Sequence, residues 1–282
     1  MTKGIVINAL FILSLGGVVL NSSCSSDELS SASCTLTGNT TETDVSNSYG
    51  CYQLERDTSS CQSSREAQGL SGFWLKFSCR VTLTVSGTDV IISSDGQPDY
   101  KSNYFDSSSN CYEDFSADGR SANQNSIGEQ NIVMTVPMSP STTTANAMSL
   151  GIVGVALNGV AIFSNSASPP DDIYDEVATF DKCEGHPAGT TYHYHIEAPS
   201  ITNSDYAFLG VMRDGFPVYG RLDEDSSTPS LDSEGGHTGT TPDSSSSSYH
   251  YHVNLQTSGS DSAYFITSGY YAGTAGDCTG CN

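Results

Sequence analysis

Polar and apolar residues alternate along Arg80-Val81-Thr82-Leu83-Thr84-Val85, so Val81, Leu83 and Val85 share one face of a predicted strand. Phe73-Trp74-Leu75-Lys76-Phe77, Val90-Ile91-Ile92 and Ile132–Val136 predict further strands, the last closed by Pro137 as at a sheet edge. Residues 101–131 read as a polar loop, and no window carries the repetition of a long amphipathic helix. The expected fold is all-β, mainly antiparallel sheets in a sandwich-like arrangement with long loops.

The chain also repeats itself. Gly154-Val155-Ala156-Leu157-Asn158-Gly159-Val160-Ala161-Ile162-Phe163 aligns without a gap on Gly210-Val211-Met212-Arg213-Asp214-Gly215-Phe216-Pro217-Val218-Tyr219. Each copy is followed by an acidic stretch, then by Asp181-x-x-x-Gly185-His186 or Asp232-x-x-x-Gly236-His237, and ends in Tyr192-His193-Tyr194-His195 or Tyr249-His250-Tyr251-His252. This internal duplication defines two related units at about 150–196 and 206–253. Asn158-Gly159 and Asp214-Gly215 predict a tight hairpin early in each, with positive φ at both central residues. Asp95-Gly96-Gln97-Pro98-Asp99-Tyr100 echoes the second copy in turn chemistry only. Ser244–Ser248 has no counterpart in the first unit and reads as a flexible surface insertion.

Composition narrows the partners. The 282 residues hold 10 Lys and Arg against 32 Asp and Glu, a net charge of −22. Ten scattered cations cannot build the basic stripe that a phosphate backbone requires, so nucleic acid is set aside, as is charge attachment to an anionic membrane. Residues 1–23 have a signal peptide's layout: Lys3, an apolar run over Ile5–Leu20, then Asn21-Ser22-Ser23-Cys24. The Ser-Ser-Cys-Ser-Ser-Asp-Glu stretch is similar to bacterial lipoprotein cleavage regions, which implies a lipid anchor at Cys24. Ordinary cleavage near residues 21–26 is the alternative, and either reading makes the chain exported, to the cell surface or outer membrane or outside the cell. Residues 24–70 then form a Cys- and Ser-rich N-terminal region, and residues 71–282 the main domain.

Of nine cysteines, setting Cys24 aside leaves an even eight, expected as disulfides in an oxidising compartment. Cys278-x-x-Cys281 suits a structural pair better than a redox dithiol, because no helix pattern follows it.

All six histidines lie inside the repeated motifs: His186, His193 and His195 in the first unit, His237, His250 and His252 in the second. Side chains at i and i+2 of a strand share a face, so each Tyr-His-Tyr-His can aim two imidazoles at one ion and two phenols the other way. His186 and His237 each follow a Gly that lets the chain turn. An all-imidazole set without an obvious carboxylate points to copper or zinc. The bland alternative is a good β-strand with hydrogen-bonded histidines. A duplicated unit with three ligands per copy is most simply read as two halves of one site, or two adjacent sites, facing across a pseudo-twofold.

These paired strands, with Asp181-Lys182-Cys183-Glu184-Gly185-His186-Pro187 and Leu209–Gly220, resemble the YHYH-domain family of secreted proteins over roughly residues 70–275. The resemblance implies no settled activity. It does imply a His where Tyr100 stands, so the chain has lost a ligand there or put a phenol in its place. Cys183 sits where that family often has Cys, and reads as a disulfide partner before a thiolate ligand. The chain lacks G-x-S-x-G, H-E-x-x-H, phosphate-loop and dinucleotide patterns. Asp171-Asp172 and Asp223-Glu224-Asp225 read as solvated acidic loops. The leading expectation is an exported protein binding copper or zinc. The alternatives are a metalloenzyme, oxidoreductase or hydrolase, using the same histidines, and a surface interaction module with a structural His cluster. No catalytic residue is assigned and no protein partner is named.

Overall fold

In the computed structural model, which describes residues 43–44, 49–53 and 56–281, the alternating segments pair as expected. Strands β1 (Thr82–Ser86), β2 (Asp89–Ser94), β3 (Ile132–Pro137) and β12 (Cys278–Thr279) form a four-stranded antiparallel sheet in the order β12-β3-β2-β1. Its period of two puts Leu83, Val90, Ile92, Ile132, Met134 and Val136 on the buried face. Strand β3 is not an edge: β12 covers its far side, and Pro137 stands at its last position, where no ladder N–H is required. Phe73–Phe77 is a 3₁₀ turn (Gly72–Lys76) and not a strand. Trp74 and Phe77 are both buried, so that spacing matches one face of a three-residue turn.

The second sheet has eight strands: β4 (Ile152–Ala156), β5 (Ala161–Phe163), β6 (Gly185–Ala188), β7 (Thr191–Tyr194), β8 (Phe208–Met212), β9 (Pro217–Tyr219), β10 (Gly236–Thr241) and β11 (Ser244–His252). Their order is β10-β11-β9-β8-β4-β5-β7-β6, with two parallel pairs, β5 with β7 and β9 with β11, in an otherwise antiparallel ladder. The order reads the same from either end once β4 is matched with β8, β5 with β9, β6 with β10 and β7 with β11. At the centre Val155 pairs with Val211, Gly154 with Met212 and Ala156 with Gly210, so equivalent positions of the two units face each other. All residues of β4 and β8 are buried, which is why both read as unbroken apolar runs. Gly154 and Gly210 are required by close approach, because a Cβ on either would press into a backbone carbonyl of the partner strand.

The hairpin turns depart from the expected geometry. Gly159 N–H donates to Ala156 O and Gly215 N–H to Met212 O, closing three-residue loops in which only the Gly has positive φ. The turn is therefore type I followed by a glycine bulge. Asn158 and Asp214 serve by accepting the N–H of Val160 and Phe216 on their side-chain oxygens.

The two sheets share one apolar core and touch at these turns, where Ser94 Oγ donates to Gly159 O at 2.6 Å. Residues 49–53 and 56–70 pack onto the same body through disulfides Cys51–Cys183 and Cys61–Cys79. Cys278 pairs with Cys281, and Cys111 is also disulfide-bonded. Cys183 is thereby removed as a thiolate ligand. Ser244–Ser248 is no flexible insertion but the first half of β11, paired with β10 as an extended hairpin. The leader, Cys24 and Cys34 lie outside the described residues. Among the described residues no helix is long and apolar enough to cross a membrane.

Candidate metal centres

Each Tyr-His-Tyr-His strand alternates as expected, and the motif residues around it explain both sets of side chains. The first Tyr bonds to the Asp that precedes the Gly-His: Tyr192 OH donates to Asp181 Oδ2 (2.7 Å) and Tyr249 OH to Asp232 Oδ1 (3.1 Å). The second Tyr meets the hairpin residue, as Asn158 Nδ2 donates to Tyr194 OH (3.1 Å) and Tyr251 OH donates to Asp214 Oδ2 (2.5 Å). Gly185 and Gly236 start their strands without positive φ; a Cβ on either would fall into the phenol of Tyr192 or Tyr249. These glycines are needed for packing, not for turning. Tyr100 lies fully buried on the phenol face, its OH bonded to Tyr192 (2.9 Å) and Tyr194 (2.7 Å), on the opposite side of β7 from the imidazoles. It joins a hydroxyl network and replaces no ligand.

On the other face the imidazoles gather into two groups, His186 with His193 and His195, and His237 with His250 and His252. They do not face one another. Strands β7 and β11 lie five steps apart in the sheet, roughly 24 Å at the usual strand spacing. The shared-site and adjacent-site expectation is therefore overturned: the local twofold runs between β4 and β8, and the His hairpins form the opposite ends of the sheet.

In the first cluster every imidazole has its Nδ1 turned to an acceptor. His193 Nδ1 meets Thr191 O (3.0 Å) and His195 Nδ1 meets Ser164 O (2.5 Å). His186 Nδ1 meets Thr179 Oγ1 (2.6 Å), whose own proton goes to Glu176 O. Carbonyl oxygens only accept, and Thr179 has spent its proton, so each Nδ1 carries the hydrogen and each Nε2 a lone pair. Those lone pairs converge: His193 Nε2 and His195 Nε2 stand 2.9 Å apart, and His186 Nε2 is buried with no hydrogen-bond partner. Glu176 adds a carboxylate oxygen 3.4 Å from His186 Nε2 and 3.5 Å from His195 Nε2. Burial holds His186 and His193 below the ordinary imidazole value, which favours the neutral form of both. Phe163 stacks on His193 at 3.7 Å, and Phe180 packs against His186.

The second cluster repeats this wiring. His250 Nδ1 meets Ser248 O (3.0 Å) and His252 Nδ1 meets Gly220 O (2.7 Å), at the positions equivalent to Thr191 and Ser164. His237 Nε2 lies 3.1 Å from His250 Nε2 and 3.2 Å from His252 Nε2, with Asp223 Oδ1 at 3.1 Å. Burial pushes His250 down to about 4. Tyr219 occupies the place of Phe163 beside His250.

Nitrogens about 2.0–2.1 Å from a tetrahedral zinc lie about 3.3 Å from each other, close to these separations. Each cluster offers three imidazoles and one carboxylate, with the far nitrogens of two imidazoles in each oriented by backbone carbonyls, as metal-ligating histidines usually are. The carboxylates are what the sequence did not disclose. Glu176 and Asp223 are 47 positions apart where the aligned strands are 56 apart, so no ungapped alignment matches them. Glu176 ends a short helix, Ile173–Glu176, capped by Asp172, whereas Asp223 sits in a turn read as solvated loop. The acidic stretch that follows each hairpin was the available signal.

No curated protein and no solved structure matches the chain. The family described as YHYH protein matches residues 133–229, a span that takes in β4–β9 and the first cluster and ends before His237. The Tyr-His-Tyr-His strand and its Asp and Asn partners lie inside that span, so residues 133–229 carry a YHYH domain.

Proposed function

We propose that the chain is an exported protein that binds copper or zinc, one ion in each three-histidine cluster, with Glu176 and Asp223 as further oxygen ligands. The observation that carries this reading is the first cluster's lack of any donor: three Nε2 lone pairs and a carboxylate oxygen point at one another inside the protein. Such an arrangement is repulsive unless a cation sits among its members. Thr179, Thr191 and Ser164 fix that orientation before any ion arrives. The surplus of acidic side chains favours cation entry. Export is supported by the apolar leader pattern and by disulfides that join distant parts of the chain.

Metal analysis of the full chain purified without a histidine tag tests it. Two equivalents of copper or zinc per chain are expected, falling to one in His193→Ala/His195→Ala. Protein that stays metal-free after dialysis against either ion would end the metal reading and leave the clusters as packing.

A further inference from the structure

The two clusters share their wiring but not their enclosure. The first is roofed: the helical turns Ile173–Glu176 and Val177–Thr179 lie over it, and Tyr174 packs its ring against Phe265 of the hairpin Asn254–Ser258/Asp261–Phe265. That hairpin is tied to the cluster's own strand, since Ile266 N–H donates to His195 O at 3.0 Å. The His186 side chain is only 5% exposed, against 20% for His237. Over the second cluster runs the turn-forming segment 220–235, which supplies Asp223. His237 there borders a cleft of about 340 Å³ whose other walls are Asp223, Glu224, Asp225, Gly239 and Thr240.

Two details sharpen the difference. First, His237 Nδ1 has no protein acceptor among the described residues, so nothing fixes its tautomer. With its hydrogen on Nε2, His237 can donate toward His250, His252 or Asp223, all within 3.2 Å. The second cluster therefore has a hydrogen-bonded arrangement without metal. The first has none among neutral imidazoles, because all three of its Nδ1 atoms are committed.

Second, Gly239 stands two residues after His237 on the same strand face, where the first unit has Ala188 two residues after His186. The register is equivalent, Gly239 opposite Ser248 and Ala188 opposite Thr191. A Cβ on Gly239 would lie 3.1 Å from His237 Cε1, 3.5 Å from its Nε2 and 3.5 Å from His250 Cε1. Its absence leaves a gap of methyl size beside the ligand nitrogens, opening on the acidic cleft.

Resting on the metal reading above, we propose that the second cluster is the exchangeable one. It takes up and releases a divalent cation through the Asp223-Glu224-Asp225 cleft, over Gly239, while the first cluster keeps its ion locked. An incoming water or chelator donor can attack the second ion through the Gly239 gap before any imidazole leaves. Loss of the ion leaves His237 free to take its Nε2–H form, so the emptied site keeps its shape. The chain would then carry one fixed and one deliverable ion.

The test is release of zinc from the fully loaded chain to the chromogenic chelator 4-(2-pyridylazo)resorcinol, followed against time. Two phases of one equivalent each are expected, with the fast phase absent in His250→Ala. Gly239→Ala, whose backbone conformation accepts alanine, should keep two equivalents and slow the fast phase at least tenfold. Replacing Glu224 and Asp225 with Gln and Asn should slow reloading of the emptied site several-fold. The proposal fails if both equivalents leave at one rate, if the fast phase survives in His250→Ala, or if Gly239→Ala leaves it unchanged. A chain that loads no zinc at all fails the earlier reading instead, and this one with it.

Discussion

The two ends of the eight-stranded sheet are built to one plan and finished differently. In both, an Asp before the Gly-His takes the first phenol, the hairpin Asn or Asp meets the second, and backbone carbonyls turn two imidazoles inward. These shared bonds fall on residues of the repeated motif or on their immediate neighbours, Ser164, Thr191, Gly220 and Ser248. What differs lies between the motifs: residues 165–180 carry helical turns over the first cluster, while residues 221–231 leave His237 of the second partly exposed beside a cleft. A repeated motif therefore specifies the orientation of the imidazoles, and the connecting segments decide how tightly each cluster is closed.

The largest expected effect follows from that enclosure. Metal bound only to the folded state stabilises it by about 4 kcal/mol when the free ion is a thousand times its Kd. In a chain of this size that is roughly 8–16 °C in melting temperature. His193→Ala/His195→Ala should remove one equivalent of metal and most of the difference in Tm between loaded and chelator-treated protein. His250→Ala/His252→Ala should remove one equivalent with a smaller loss, because the second cluster has a metal-free hydrogen-bonded form. Thermal melts of both variants with and without chelator decide this, and equal losses would show that enclosure does not separate the two sites.

The next effect concerns the two equivalent aspartates. Asp181 is fully buried and accepts from Ser102, Tyr192 and the N–H groups of Cys183 and Gly185. Asp181→Ala strands several buried donors and should cost about 3 kcal/mol. Asp232 accepts the equivalent bonds from Glu234, Gly236 and Tyr249 but is exposed, so water can replace it. Asp232→Ala should cost about 1 kcal/mol. Urea unfolding of the two variants measures the ratio, and similar costs would refute the account from burial.

What could be read from the sequence follows the same division. Strands β1, β2 and β3 were legible because each shows one apolar face, and β4 and β8 because both of their faces are buried. The six clustered histidines were legible because all lie in the repeated motifs, and a period of two fixes the face that His193, His195, His250 and His252 take. The distance between the clusters was not, since it depends on which strands pair across the sheet centre, and Val155 opposite Val211 places the His hairpins outermost. Glu176 and Asp223 escaped because they sit on connections of unequal length, where no periodicity marks a face. Phe73–Phe77 misled because Trp74 and Phe77 are three apart, and aromatic residues suit a strand as readily as a 3₁₀ turn.

The smallest effect isolates one atom pair in the plan. Asn158 and Asp214 are equivalent, yet one is an amide and the other an acid, each against the second Tyr of its motif. Burial raises the Asp214 pKa above the ordinary value, while hydrogen bonds from Tyr251, Gly273 and Phe216 oppose it without cancelling it. An unfolded Asp titrates near about 3.9, so between there and the raised folded value the native state holds a proton that the unfolded state has lost. The stabilising contribution is full below that window and is lost as pH rises through it, at up to about 1.4 kcal/mol per pH unit. Asp214→Asn should remove this slope, and Asn158→Asp should introduce one in the first unit. The measurement is the difference in unfolding free energy between wild type and each variant from pH 4 to 8, in which unaffected carboxylates cancel. A flat difference for Asp214→Asn would mean that its proton is held equally in both states, and that Tyr251 and Gly273 outweigh burial.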